Sequence, residues 1–325
     1  MDSLRIVSIG GGTGLSTLLR GLKPYATGHR RIEITAVVTV TDDGGSSGRL
    51  RRDFDILAPG DIRNCMVALS EDEALLSKLF QYRFSEGKGL KGHSFGNLFV
   101  TALTNITGDF AAAVRVSSEI LASVGRIYPA SSDKAILEAE LANGKIVTGE
   151  TKISKSRSRI EWIRLRPGPC KPLPETLDAI ARANLITFGP GSLFTSIIPN
   201  LLVEGIPEAI ENSSALKAYF VNLMWQPGET TDFGASDHVA AIHRHAGRKL
   251  LDVVVVNTGT ISQEQLEKYA AQKALPVVND VDKLQAMGVE VVGADLLSDS
   301  LSVRHNPAAT GKIALQLARR VLNLS

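Results

Sequence analysis

Residues 4–22 read LRIVSIGGGTGLSTLLRGL, and residues 34–48 read ITAVVTVTDDGGSSG. Leu4 to Ile9 has the character of a short buried strand, and Leu15, Leu18, Leu19 and Leu22 fall at i, i+3, i+4 and i+7 of a helix. Thr13 is placed to cap that helix and Lys23-Pro24 to end it, while Ile34 to Val40 predicts a second strand. Such a β-turn-α-β unit starts a doubly wound parallel sheet. A strand that stops at glycines lets the backbone approach an anion, and the helix that follows aims unpaired N–H groups at the same spot. A nucleotide-like ligand is the first expectation.

Outward from this unit, residues 61–105 carry helical periodicity, broken by a loop over 85–92. Ile136 to Leu141 and Lys145 to Gly149 flank Asn143-Gly144, the strongest short hairpin signal, and Ile160, Trp162 and Leu165 suggest a third extended piece. A small antiparallel insertion is expected at about 130–167. Its basic cluster, Lys152, Lys155, Arg157, Arg159, Arg164 and Arg166, reads first as a solvated surface and second as a grip for an acidic partner. After Pro174 the α/β alternation returns, with strands expected over Leu185–Phe188, Ala218–Met224, Leu250–Val256, Pro276–Val278 and Val289–Val292. A helix interrupted by Pro199, a capping box at Ser262–Gln265 and a last helix opened by Pro307 complete the pattern. The expected architecture is one α/β domain over residues 1–325, a mainly parallel sheet with an antiparallel hairpin region inserted.

Composition narrows the function. The chain has 325 residues, 44% of them hydrophobic, and a formal net charge of +2, so no global field recruits nucleic acid or an anionic membrane. No apolar stretch reaches the ~20 residues of a membrane span and no signal-peptide pattern opens the sequence. Two cysteines, Cys65 and Cys170, suit a reducing compartment, and the expected location is the cytoplasm. An assembly of copies of the chain is compatible with these features.

The first turn, Gly10 to Gly14, departs from the dinucleotide fingerprint because Leu15 stands where the third glycine belongs, and it lacks a P-loop lysine. In the second, Asp42 and Asp43 can coordinate Mg²⁺ beside a phosphate, hydrogen-bond a ribose or act as a base, while the N–H groups of Gly44 to Gly48 form a candidate anion nest. An Asx-turn is the plainer alternative. Asp61 reads as a helix cap, but Arg63, with Asn64 after it, is a cation at a helix N-terminus and so suggests an anionic partner. His93 and Asn97 open another helix with polar groups. Gly189, Gly191 and Ser192 form a second strand-glycine-helix cradle with Ser192 as its N-cap. Asn222 and Gln226 carry amides suited to a base or sugar, Thr258 ends a further strand, and Arg304 offers a cation before the last helix. Tyr269 shares a helix stripe with Leu266, a core pattern, and stays among the candidate ligand contacts.

Seven segments in order, GGGTGLSTLLRGLK (10–23), TVTDDGGSSGRLR (39–51), GDIRN (60–64), GHSFGNLF (92–99), ITFGPGSLFTSIIPNLL (186–202), YFVNLMWQPGET (219–230) and RHNP (304–307), resemble the YvcK group of bacterial gluconeogenesis factors. That group looks like a branch of the superfamily named after CofD, a 2-phospho-L-lactate transferase. The resemblance covers nearly the whole chain and implies a Rossmann-like doubly wound sheet. It also implies a nucleotide diphosphate ligand, UDP-N-acetylglucosamine or UDP-glucose, and a role in cell shape and cell-wall growth on gluconeogenic carbon sources. It places Gly11, Gly12, Thr13, Asp42 and Asp43 in the pocket, lined further by Asn222, Gln226, Thr258 and Arg304. Only Asp61 remains of the acidic cluster that the transferases carry at residues 60–64. The expectation is therefore a UDP-sugar-binding regulator, with a Mg-dependent transferase acting on a nucleotide diphosphate as the alternative.

Overall fold

Leu4, Ile6, Val7 and Ile9 are all buried, and a strand apolar on both faces has to lie inside a sheet covered on both sides. In the computed structural model, which describes residues 3–27, 32–71, 75–156, 158–271 and 273–322, that strand is central. Arg157 of the basic cluster lies outside the described residues. The strands are β1 (Leu4–Gly10), β2 (Ile32–Val38), β3 (Arg126–Pro129), β4 (Ile136–Leu141), β5 (Ile146–Thr148), β6 (Ile160–Arg166), β7 (Leu185–Phe188), β8 (Leu216–Phe220), β9 (Val253–Asn257) and β10 (Glu290–Ala294). Seven of them form one parallel sheet in the order β10-β9-β8-β7-β1-β2-β3. β4, β5 and β6 form a separate antiparallel sheet in the order β5-β4-β6.

The first helices are α1 (Gly12–Ala26), α2 (Gly45–Phe54), α3 (Gly60–Leu69), α4 (Leu75–Gln81), α5 (Phe95–Thr107), α6 (Phe110–Ile120) and α7 (Glu150–Ser154). After them come α8 (Pro174–Ala181), α9 (Ile198–Leu201), α10 (Ile206–Asn212), α11 (Ala235–Ala246), α12 (Gln263–Ala270), α13 (Val281–Ala286) and α14 (Pro307–Leu322). Two apolar cores cover the faces of the sheet. Ile6 shares one with Leu15, Leu18, Leu19 and Leu22 of α1 and with α3 and α14. Val7 and Ile9 share the other with α11 and the inserted sheet, through Leu137, Ile160 and Ile163. Each such fully buried side chain stabilises the fold by about 1.5–3 kcal/mol. The fold is a Rossmann-like, doubly wound, mainly parallel sheet with an inserted antiparallel hairpin region. Among the described residues no single helix is long and apolar enough to cross a membrane.

Several elements differ from their sequence reading. Pro24 lies inside α1, which runs to Ala26; a proline in the last turn forfeits one bond, to the carbonyl of exposed Arg20. β2 ends at Val38 instead of Val40 because β1, its ladder partner, has by then turned into α1. β8 ends at Phe220, so Leu223 and Met224 lie in a loop over the sheet's end. Pro276 and Val278 make only isolated bridges, to Met224 and Gly234, in keeping with a proline that has no N–H for a ladder. β3 is a four-residue edge strand without a sequence signal of its own. The nest expected at Gly44–Gly48 is instead the first turn of α2, where the Gly48 N–H donates to the Gly44 carbonyl (3.0 Å). The capping box at Ser262 and Gln265 and the start of α14 at Pro307 are as the sequence predicts.

Candidate functional site

Connections leave β1 and β7 toward opposite sides, and doubly wound sheets open a crevice at such a switch point, beyond the carboxyl ends of the strands. A cavity of about 590 Å³ lies there, lined by the two glycine turns Gly11–Gly14 and Pro190–Ser192. α1 begins at Gly12 with Gly11 as N-cap and no capping side chain, so Thr13 sits in the first turn and does not cap it. The carboxylate of Asp61 accepts from the Gly12 N–H, and a Cβ on Gly11 would meet Asp61 Oδ2 at 2.6 Å. Gly14 packs on the backbone of the second turn, where a Cβ would stand 2.8 Å from Gly191 Cα. Ser192 does not cap through its side chain either; its Oγ accepts from Gln226 Nε2 (2.6 Å), whose Oε1 accepts from Asn222 Nδ2 (3.0 Å). A polar chain thus joins the second turn to the loop after β8.

One wall is acidic. Burial pushes Asp61 up to about 7, the charge of Asp42 adding while the Gly12 N–H and Arg63 oppose. Burial likewise pushes Glu150 up to about 9, with the charges of Asp61, Asp42, Glu229 and Asp43 adding, and Glu229 up to about 7 against hydrogen bonds from Ser154 and Phe194. Among the described residues, one buried oxygen each of Glu150 and Glu229 finds no partner. A protonated carboxyl donates a hydrogen bond where a carboxylate would repel, so this wall accepts an anion at neutral pH more readily than its composition suggests. His305 closes another side. Burial lowers it to about 4, and its neutral ring bonds the Val221 carbonyl through Nε2 (3.1 Å).

Asp43 explains how Glu150 arrives. Its Oδ1 accepts from the N–H (2.8 Å) and the hydroxyl (2.6 Å) of Thr151, seating α7 of the insertion at the mouth of the cavity. Ser154 on the same helix donates to Glu229 Oε1 (2.9 Å). Asp42 makes the plainer Asx-turn: its Oδ1 accepts from the Gly44 N–H (2.8 Å), and its charge acts on Asp61 and, with that of Asp43, on Glu150. The two carboxylates expected to hold Mg²⁺ thus engage different partners, and among the described residues no three His, Cys, Asp or Glu side chains converge as a metal site. The residues present do not fit that reading.

The remaining candidates divide by position. Gly11, Gly12, Thr13, Gly14, Gly191, Ser192, Asn222, Gln226, Tyr269 and Arg304 line the cavity. Tyr269 also packs on the core, and its hydroxyl accepts from the Val303 N–H (3.1 Å). Gly10 ends β1 and Gly189 follows β7, both outside the lining. Asp42, Asp43 and Gly44 are not among the lining residues, nor is Thr258, whose methyl packs at Gly293. His93 and Asn97 join α2 to α5 through Ser46 and Ser47 (3.1 and 3.3 Å). Arg63 and Asn64 line a second cavity. Asp61, a cap by its sequence position, is a wall of the first; Trp225 and Glu229 lie within the segment 219–230 without being singled out there, and Glu150 and Ser154 carry no local signal, because only tertiary packing brings α7 to the glycine turns.

Comparison with known proteins agrees with this architecture. The family model described as 2-phospho-L-lactate transferase CofD matches residues 6–297. A gluconeogenesis factor of Halalkalibacterium halodurans is 48% identical, covering 97% of this chain and 97% of its own, and one of Bacillus subtilis is 46% identical, covering 97% and 98%. A crystal structure of a Bacillus halodurans protein superposes with a TM-score of 0.91 at 47% identity, covering 99% of this chain and all of that one.

Proposed function

The chain belongs to the CofD family, alongside the gluconeogenesis factors, and from that premise we propose that it is a cytoplasmic regulatory protein that binds a UDP-sugar, UDP-N-acetylglucosamine or UDP-glucose, in the switch-point cavity. In this reading the diphosphate rests on the first turn of α1 and on the Pro190–Ser192 turn, where backbone N–H groups and the helix dipole favour negative charge. Asn222, Gln226, Trp225 and Tyr269 meet the base or sugar, and Arg304 covers the phosphates. Its guanidinium carries the argument: the side chain is exposed at the cavity, and among the described residues no hydrogen bond or ion pair engages it. The cavity volume, about 590 Å³, falls within the ordinary range of small-molecule sites. Ligand occupancy would couple nucleotide-sugar supply to cell-wall growth and cell shape on gluconeogenic carbon sources, with no turnover required.

Thermal denaturation tests this. UDP-N-acetylglucosamine or UDP-glucose raises Tm as any ligand of the native state does, and Arg304→Ala abolishes the rise. A melting curve unmoved by every UDP-sugar sinks the proposal.

A further inference from the structure

Behind the first turn of α1, and separate from the acidic wall, lies a second cavity of about 260 Å³ between α1, α3 and the segment that follows α4. Three arginines line it: Arg20 of α1, Arg63 of α3 and Arg83. Arg63 is 7% exposed, and its partners are neutral oxygens, Ser94 Oγ at 2.8 Å from Nη1 and Asn64 Oδ1 at 2.6 Å from Nη2. Among the described residues its buried Nε has no partner. Asp61 and Asp42 act on it through space, while burial and the charge of Arg83 press the other way and lower its pKa. The passage for this side chain is built into the fold, since a Cβ on Gly96 would stand 2.8 Å from Arg63 Cδ and 2.7 Å from the Phe80 carbonyl.

The other two cations are exposed and weakly engaged. Arg20 makes one long bond, 3.4 Å to Thr17 Oγ1, and Arg83 one of 3.3 Å to the Gly92 carbonyl. Among the described residues neither forms an ion pair. Three guanidinium groups around one small polar space, one of them buried with an idle N–H, repel one another; the charges of Asp61 and Asp42 offset part of this at Arg63, an anion between the three relieves more of it, and forked guanidinium donors suit tetrahedral oxyanions. A single carboxylate would leave most of that charge unmatched; a phosphate dianion matches more of it and accepts several donors at once.

We propose that this cavity is a phosphate site, taking a phosphate dianion that is either free or the terminal group of a phosphate monoester, and distinct from the diphosphate cradle of the first cavity. Thr13 lines both cavities, so the two sites share the first turn of α1 and occupancy of one is felt at the other.

The test is calorimetric titration of the intact chain with inorganic phosphate at pH 8 and fixed ionic strength, and in parallel with glycerol 3-phosphate. The proposal expects saturable binding at one site. Arg20→Gln/Arg83→Gln, which changes two exposed side chains and spares buried Arg63, weakens it by about tenfold or more for the charge-assisted bonds lost. A charge-matched control, Arg182→Gln/Lys249→Gln, keeps the affinity. Tighter binding of the ester identifies an organic phosphate as the occupant and tighter binding of inorganic phosphate the free anion; both sustain the site. Absence of saturable heat overturns the proposal, and so does an affinity unchanged in Arg20→Gln/Arg83→Gln, which would place phosphate on the first glycine turn instead. An equal loss in the control, meaning nonspecific charge, overturns it too. None of these outcomes depends on whether UDP-sugars bind.

Discussion

At Asp61, one carboxyl joins ligand chemistry to stability. Its folded-state pKa, about 7, lies above the ordinary value of 3.8 because burial disfavours the charge and Asp42 adds to that. The folded state therefore holds a proton that the unfolded chain has released, and this contribution to stability is full below pH ~4 and lost as pH rises toward and through ~7. Asp61→Asn keeps an acceptor for the Gly12 N–H but removes the titration. Its Tm is expected to fall less than that of the parent between pH 5 and pH 8, and equal slopes would exclude Asp61 as the source. The same logic reaches the ligand. If the acidic wall must stay protonated beside the diphosphate, UDP-sugar affinity declines above pH ~7 by up to about tenfold per pH unit for each carboxyl involved, and Asp61→Asn flattens the profile. At this scale the sequence is legible where the fold needs bare backbone. Gly11, Gly12 and Gly14 stand where a Cβ would collide or where φ is positive, and a glycine run at a strand end is visible in the letters. Asp61 was misread because helix capping accounts for an acidic residue at a helix start just as well, and only its contact with Gly12, some fifty residues away, separates the two.

The elements that build the site are α1, α7 and the loop after β8. α1 approaches its neighbours more closely than side chains permit: Gly14 lies against the second turn, and Gly21 crosses Gly311 of α14 backbone to backbone. Gly14→Ala puts a Cβ where the obstruction is main chain, which cannot swing aside. A loss of about 1–3 kcal/mol is expected together with loss of UDP-sugar binding, read by denaturant unfolding and thermal shift. A variant as stable as the parent would contradict the close approach. α1 was legible because its leucines repeat at helical spacing. α7 was not: five residues are too few for periodicity, and what fixes it is Asp43, far back in the chain, accepting at its N-terminus.

Across the whole molecule, the inserted sheet belongs to the same apolar core as one face of the main sheet. Ile163 is fully buried there, its N–H donates to His245 Nε2 (3.2 Å), and the ring of the adjacent Trp162 stacks on His245 at 4.3 Å. Ile163→Ala is thus expected to cost about 2–5 kcal/mol and to lower one cooperative transition. Circular dichroism in the far and near ultraviolet should report coincident midpoints, and an insertion that melted ahead of the rest would refute the shared core. The sequence by itself determined the strand-glycine-helix units, the hairpin at Asn143-Gly144, the parallel sheet they imply and the two turns that meet at its switch point. Those features depend on neighbours in the chain, through periodicity, turn chemistry and the space a glycine leaves. Tertiary structure alone decided that Asp43 holds α7, that Glu150 and Glu229 close the first cavity, and that Arg63 lines a second one with Arg20 and Arg83. The groups that settle those positions, Thr151 for Asp43, Ser154 for Glu229 and Ser94 for Arg63, lie tens to more than a hundred positions away, and local spacing carries no record of them.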